Sequence, residues 1–213
     1  MRDGQVGEAT AGRSGASGSR RQAILRAAER LFAREGYHGA TMRQIAEEAG
    51  CKLSLVVYHF TSKLGLYSAI FEERRYVNDE RLARLKAIPD LRAEDALEQI
   101  VSAFTDPVLA LHDDPELIWF ARLMLREASD PSSRERPVTR EHFDPLGRRF
   151  IEALETALPD KPAGFHHWAY LYSVGALTQS AFDTRIGDIA DELGYERKHD
   201  LLRAYITAAL RHG

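Results

Sequence analysis

A chain of 213 residues is long enough for one helical domain of ordinary size and a small appended one. Its single cysteine, Cys51, excludes an internal disulfide and a cysteine zinc cluster. No run approaches the roughly 20 apolar residues that span a bilayer, so the expectation is a soluble, cytoplasmic protein without a secretory leader. The net charge of −3 is unevenly spread: residues 20–63 carry eight Lys/Arg against four acids, which leaves −7 on residues 64–213. That division suits one small region meeting a polyanion which the rest repels.

Residues 1–19 contain eight Gly or Ser and few large apolar groups, which predicts a disordered basic arm around Arg13. Helical spacing begins near Arg20, with Ile24, Ala28, Leu31 and Phe32 on one face and Gly36 as the stop. Thr41-Met42-Arg43-Gln44 has the spacing of a capping box and opens a short helix that ends at Gly50. Another short helix runs through Leu55 to Phe60, then Thr61-Ser62 caps a long one reaching about Ile88 before Pro89. Further helices are predicted at about 93–111, broken near Pro107, and at 115–128, 137–157, 164–183 and 197–211, with no alternating strand pattern. The fold class is therefore all-α, with an arm at 1–19, a small helical domain at 20–66 and a larger one at 67–213.

Residues 41–63 meet the demands of a helix-turn-helix. Ala46 is small where one helix must cross the next, Gly50 supplies the sharp turn four residues later, and Val56 closes the small core. Ile45, Ala49, Cys51 and Phe60 complete the apolar filling. Between them stand Lys52, Ser54, Tyr58 and His59, with Lys63 following: groups that donate to phosphate or stack on sugar and base edges. Thr41 and Arg43 at the preceding helix start, and Leu53, Leu55 and Val57 on the second helix, complete the candidate DNA surface, where Val57 can offer only an apolar touch such as to a thymine methyl.

The segment Ala49 to Tyr67, AGCKLSLVVYHFTSKLGLY, resembles the signature of the TetR/AcrR family of one-component regulators, and Arg21 to Gly36 with Thr41-Met-Arg-Gln-Ile-Ala resembles its upstream half. Asp114-Pro-Glu-Leu-Ile-Trp-Phe and Phe143-Asp-Pro-Leu resemble the C-terminal domain of the CecR-like (YbiH-like) subgroup. The resemblance implies a double-stranded DNA operator, a small-molecule effector held in the C-terminal domain, and a homodimer made by the last two helices. Lys52, Ser54, Val57 and Leu64 depart from residues common in the family.

An apolar stripe of Leu201, Leu202, Tyr205, Ile206 and Ala209, facing small residues Ser173 and Ala176 on the preceding helix, is the candidate dimer surface. Trp119, Phe120, Leu123, Phe150, Trp168 and Tyr172 are candidates for the lining of a largely apolar effector pocket, with Arg122 and His167 as polar anchors. His166 and His167 point about 100° apart on a helix and lack further ligands at a metal spacing, so neither metal nor other cofactor is expected, and both read as surface or interface imidazoles. An all-helical enzyme is the competing class, but no nucleophile-base pair or paired carboxylates stand at a recognisable spacing. A protein-docking scaffold without DNA binding is the other.

Overall fold

The structure, a computed structural model, describes residues 11–182 and 197–213. All regular structure among them is helical: α1 (Ala11–Gly39), α2 (Met42–Glu48), α3 (Leu53–Phe60), α4 (Lys63–Glu73), α5 (Tyr76–Lys86), α6 (Ala96–Leu109), α7 (Ile118–Ser129), α8 (Asp144–Ala157), α9 (Phe165–Phe182) and α10 (Lys198–His212). The chain divides into two compact units, one ending at Glu73 and one beginning at Arg74. The expected boundary at residue 66 falls inside α4.

In the first unit α1 packs on α2 and α4, while α3 packs on α2 and α4. Ile24, Ala28 and Phe32 from α1 meet Ile45, Ala46, Val56, Leu66 and Ile70 in a core without water access. Tyr67 lies edge-on to Phe32 at 4.9 Å between ring centroids, a favoured aromatic geometry. Gly36 interrupts α1 with a φ of 74°, as a glycine stop requires.

Two expected features differ. The segment 11–19 is helical here rather than a disordered arm, because α1 continues backward from its packed turns and propagation needs no new nucleus; residues 1–10 lie outside the described residues. The long helix expected from Lys63 to Ile88 is two helices, separated at Arg74-Arg75 by a tightened turn in which Val77 N–H donates to Arg74 C=O at 3.1 Å. No glycine or proline marks that break, so spacing alone could not reveal it.

The second unit is built around α6, which contacts α5, α8 and α10, while α9 contacts α7, α8 and α10. Its apolar face buries Leu97, Ile100, Val101, Phe104 and Val108. Pro107 sits inside α6, and the helix gives way to one 3-10 turn at Ala110–His112. Pro145 stands in the first turn of α8, where its missing N–H has no helical partner to lose. Between α7 and α8 the buried Arg136 guanidinium donates to both Glu127 carboxylate oxygens at 2.7–3.1 Å and to Asp130 at 2.8 Å. That network satisfies charges that would be costly if left alone in the interior.

Candidate functional site

The capping box forms as its spacing dictates: Gln44 N–H donates to Thr41 Oγ1 at 3.2 Å, and Thr41 N–H donates to Gln44 Oε1 at 2.9 Å. This fixes where α2 begins. At its other end Gly50 takes φ 63°, and Cys51 N–H donates to Ala46 C=O at 2.9 Å, closing the turn. Lys52 stands at the N-cap of α3 and makes no side-chain cap bond, as its chemistry requires. Ser62 Oγ accepts from Gly65 N–H at 3.0 Å and so caps α4.

With Ala46 and Val56 buried, α3 turns its other side outward. Thr41, Arg43, Lys52, Leu53, Ser54, Val57 and Tyr58 are exposed, Tyr58 by 79%, whereas Leu55, His59 and Lys63 are half-buried. Lys63, a candidate phosphate donor, is already engaged within the chain: Nζ donates to His38 C=O at 3.3 Å and lies 4.8 Å from the centre of the Tyr37 ring. Burial pushes its ammonium pKa below the usual lysine value. Arg30 and Arg34 both bind Glu48, at 2.8 and 2.9 Å, and tie α1 to α2. The positive charge left at the face is therefore narrower than the count over residues 20–63.

A groove of about 580 Å³ runs beside the start of α3, lined by Arg20, Ala23, Ile24, Cys51, Lys52 and Tyr58 among others. Arg20, which the sequence places beside an arm, thus belongs to this surface. The Cys51 thiol is half-buried and its pKa is raised by burial, the reverse of an activated thiolate.

In the second unit a cavity of about 460 Å³ opens among α5 to α9 and the segment before α8, with Phe104, Val108, Met124, Val174 and Leu177 on its apolar wall and Arg81 on its polar one. None of the eight residues proposed for a pocket lines it. Phe120, Leu123 and Phe150 are buried in packed core, Phe150 touching only a crevice of about 10 Å³. Trp119 is half-buried with the exposed Arg122 guanidinium 4.9 Å from its ring centre. His167, Trp168 and Tyr172 face outward. The reason is rotational phase: α9 turns Tyr170, Leu171, Val174 and Leu177 to the cavity, and α7 turns Met124, Leu125 and Ala128 to it. The sequence carries one signal for this cavity: Arg81 stands between Val77 and Leu85 on the buried stripe of α5.

The dimer candidates divide likewise. Ser173, Leu202 and Ile206 are buried within the chain, Ala176 is half-buried, and Leu201, Tyr205 and Ala209 are exposed. His166 is no surface imidazole: it is buried, with Nε2 2.9 Å from Leu158 C=O. Among the described residues no helix is long and apolar enough to cross a membrane.

Residues 24–70 match the model of bacterial regulatory proteins of the tetR family, and residues 102–210 match the tetracyclin repressor-like C-terminal domain. The chain is 41% identical over 87 residues to the transcriptional regulator RutR of Escherichia coli K12, covering 41% of this chain and 39% of RutR. It is 32% identical over 112 residues to the regulator SrpR of Pseudomonas putida, covering 53% and 48%. The chain thus spans less than half the length of these curated relatives. A TetR-like transcriptional regulator from Rhodococcus sp. RHA1 superimposes with a TM-score of 0.62 at 19% identity, over 91% of this chain and 97% of that one, which establishes likeness of fold. With both of its units matched by family models, one of them over half the chain, the protein belongs to the TetR family of bacterial regulatory proteins.

Proposed function

We propose that this chain is a cytoplasmic, ligand-responsive transcriptional repressor that binds a near-palindromic operator as a homodimer and is released by a small, largely apolar effector. The observation that carries the reading is α3, a helix held by Gly50, Ala46 and Val56 with Lys52, Leu53, Ser54, Val57 and Tyr58 exposed along it. A helix so mounted suits the major groove, with the N-terminus of α2 beside it for phosphate. Thr41, Arg43, Leu55, His59 and Lys63 complete the DNA surface, Lys63 by positioning His38 and Tyr37 as well as by charge. The resemblance of Asp114-Pro-Glu-Leu-Ile-Trp-Phe and Phe143-Asp-Pro-Leu to the CecR-like subgroup supports placing the chain there.

Dimerisation is proposed through α9 and α10, which pack together and leave Trp168, Leu171, Tyr172, Leu201 and Tyr205 exposed. So much aromatic and aliphatic surface on two adjacent helices suits an isologous four-helix contact, which would space two reading helices about 34 Å apart. Effector binding is proposed in the 460 Å³ cavity, whose size falls in the range of small-molecule sites.

Fluorescence anisotropy with the DNA upstream of the protein's own coding region tests the reading. Specific, salt-dependent binding by two copies is expected, and Lys52→Ala should lower the salt slope by about one unit, the loss of one phosphate contact. Absence of specific binding, or specific binding by one copy, overturns it.

A further inference from the structure

Among the described residues the second unit has two buried arginines, with opposite surroundings. Arg136 has its charge matched by Glu127 and Asp130. Arg81 is only 4% exposed, and among the described residues no carboxylate lies within ion-pair distance of it. Among those residues its one hydrogen bond is a long one, Nη1 to Asn78 Oδ1 at 3.4 Å, and Nε has no partner. The guanidinium lies 4.6 and 5.6 Å from the ring centres of Phe104 and Phe150. Burial pushes its pKa down to about 10, so it stays charged at neutral pH.

A buried charge without a counter-ion is costly and persists where something else repays it. Arg81 lines the 460 Å³ cavity, and Tyr170 stands beside it there as a phenol that burial keeps protonated. The other charged groups on the cavity are Glu127, already bound by Arg136, and Asp144 and Arg148, both exposed. Arg81 and Tyr170 thus give the cavity a desolvated cation and a hydroxyl, and Val108, Met124, Leu125, Val174 and Leu177 give it an apolar wall, with Ser133, Thr139 and Thr178 also on the lining. We infer that the effector is an amphipathic carboxylate, its anionic head on the Arg81 guanidinium and its hydrocarbon or aromatic body along that apolar wall. Arginine suits this partner because its planar fork matches a carboxylate in two parallel hydrogen bonds. The inference rests on the ligand-responsive reading above and names the chemical class of its ligand.

Matched pairs that differ only in the head group test it: decanoate against decan-1-ol, and 2-naphthoate against 2-naphthylmethanol, titrated calorimetrically into the full chain at neutral pH. At least one acid should bind tenfold or more tightly than its alcohol. Arg81→Met should abolish that preference, leave the alcohol within twofold, and keep operator affinity unchanged while acids no longer release the DNA. Arg81→Lys, which keeps the charge without the fork, should retain part of it. Because Arg81→Met removes an unmatched charge, its melting temperature without ligand should equal or exceed that of the parent. A clear fall would show that Arg81 serves packing and would overturn the inference. So would equal binding of acid and alcohol, binding by neither acid, or a preference that survives Arg81→Met. If the alcohols alone bind and release DNA, the anion is wrong while the ligand-responsive reading stands. If acids bind with the stated preference but leave the operator complex intact, the carboxylate site stands and the regulatory reading falls.

Discussion

The two units spend their polar side chains and turns differently. In the first, up to Glu73, the groups that set the helix-turn-helix are spent on backbone geometry: Thr41 and Gln44 cap α2, Ser62 caps α4, and Gly50 makes the turn. Each such requirement is local, spanning four or five residues, and only a few residue types meet it. In the second unit the decisive groups are long-range. Arg136 reaches back nine residues to Glu127, and Arg81 meets Phe150 and Tyr170 across distant helices. A unit built on local chemistry presents a fixed surface, whereas one built on distant packing can hold a cavity of about 460 Å³.

The largest test of this contrast is Arg136→Met. It leaves the Glu127 carboxylate buried without its guanidinium, which costs about 3–5 kcal/mol, and denaturant unfolding should show the loss. Adding Glu127→Leu should recover much of it. If the single variant costs nothing, the network is not what holds the α7–α8 connection.

Two glycines of the first unit give the next effect. A Cβ at Gly65 would stand 2.4 Å from Phe60 C=O, a clash with backbone, whereas one at Gly50 meets nothing within 4 Å and suffers only from φ +63°. Gly50→Ala should therefore cost about 1–2 kcal/mol and Gly65→Ala more, with thermal melts ordering the two. The reverse order would mean that the α3–α4 turn yields more readily than the one between α2 and α3.

Thr41→Ala should cost about 1 kcal/mol through loss of the cap, and Thr41→Ser should restore it. Equal stability of all three proteins would remove the capping box from the account of α2.

The smallest effect is a pH dependence. Hydrogen bonds from Ser132, followed by Arg136, hold the Asp130 carboxyl down at about 2 from its ordinary 3.8. A carboxyl depressed in the folded state contributes stability that is present above its unfolded value and is lost as pH falls through the folded one. The stability advantage of the parent over Asp130→Asn should thus be constant above about pH 5 and shrink between about pH 4 and 2. A difference that does not change over that window would assign the contribution to shape rather than charge.

Sequence alone determined the all-helical class, the ends of most helices and the helix-turn-helix, because caps, turns and 3.6-residue spacing act over a few residues. Thr41, Ala46, Gly50 and Val56 occupy the places that their chemistry demanded. The tertiary structure decided which way the C-terminal helices face. Periodicity shows that α9 and α10 have apolar faces but not which apolar residues meet the chain's own core: Leu202 and Ile206 do, while Leu201, Tyr205, Trp168 and Tyr172 do not. It likewise decided that the cavity is walled by Phe104, Met124 and Val174 instead of Trp119, Phe120 and Leu123, because a cavity is the space several helices leave between them, and that space depends on how each is rotated against its neighbours.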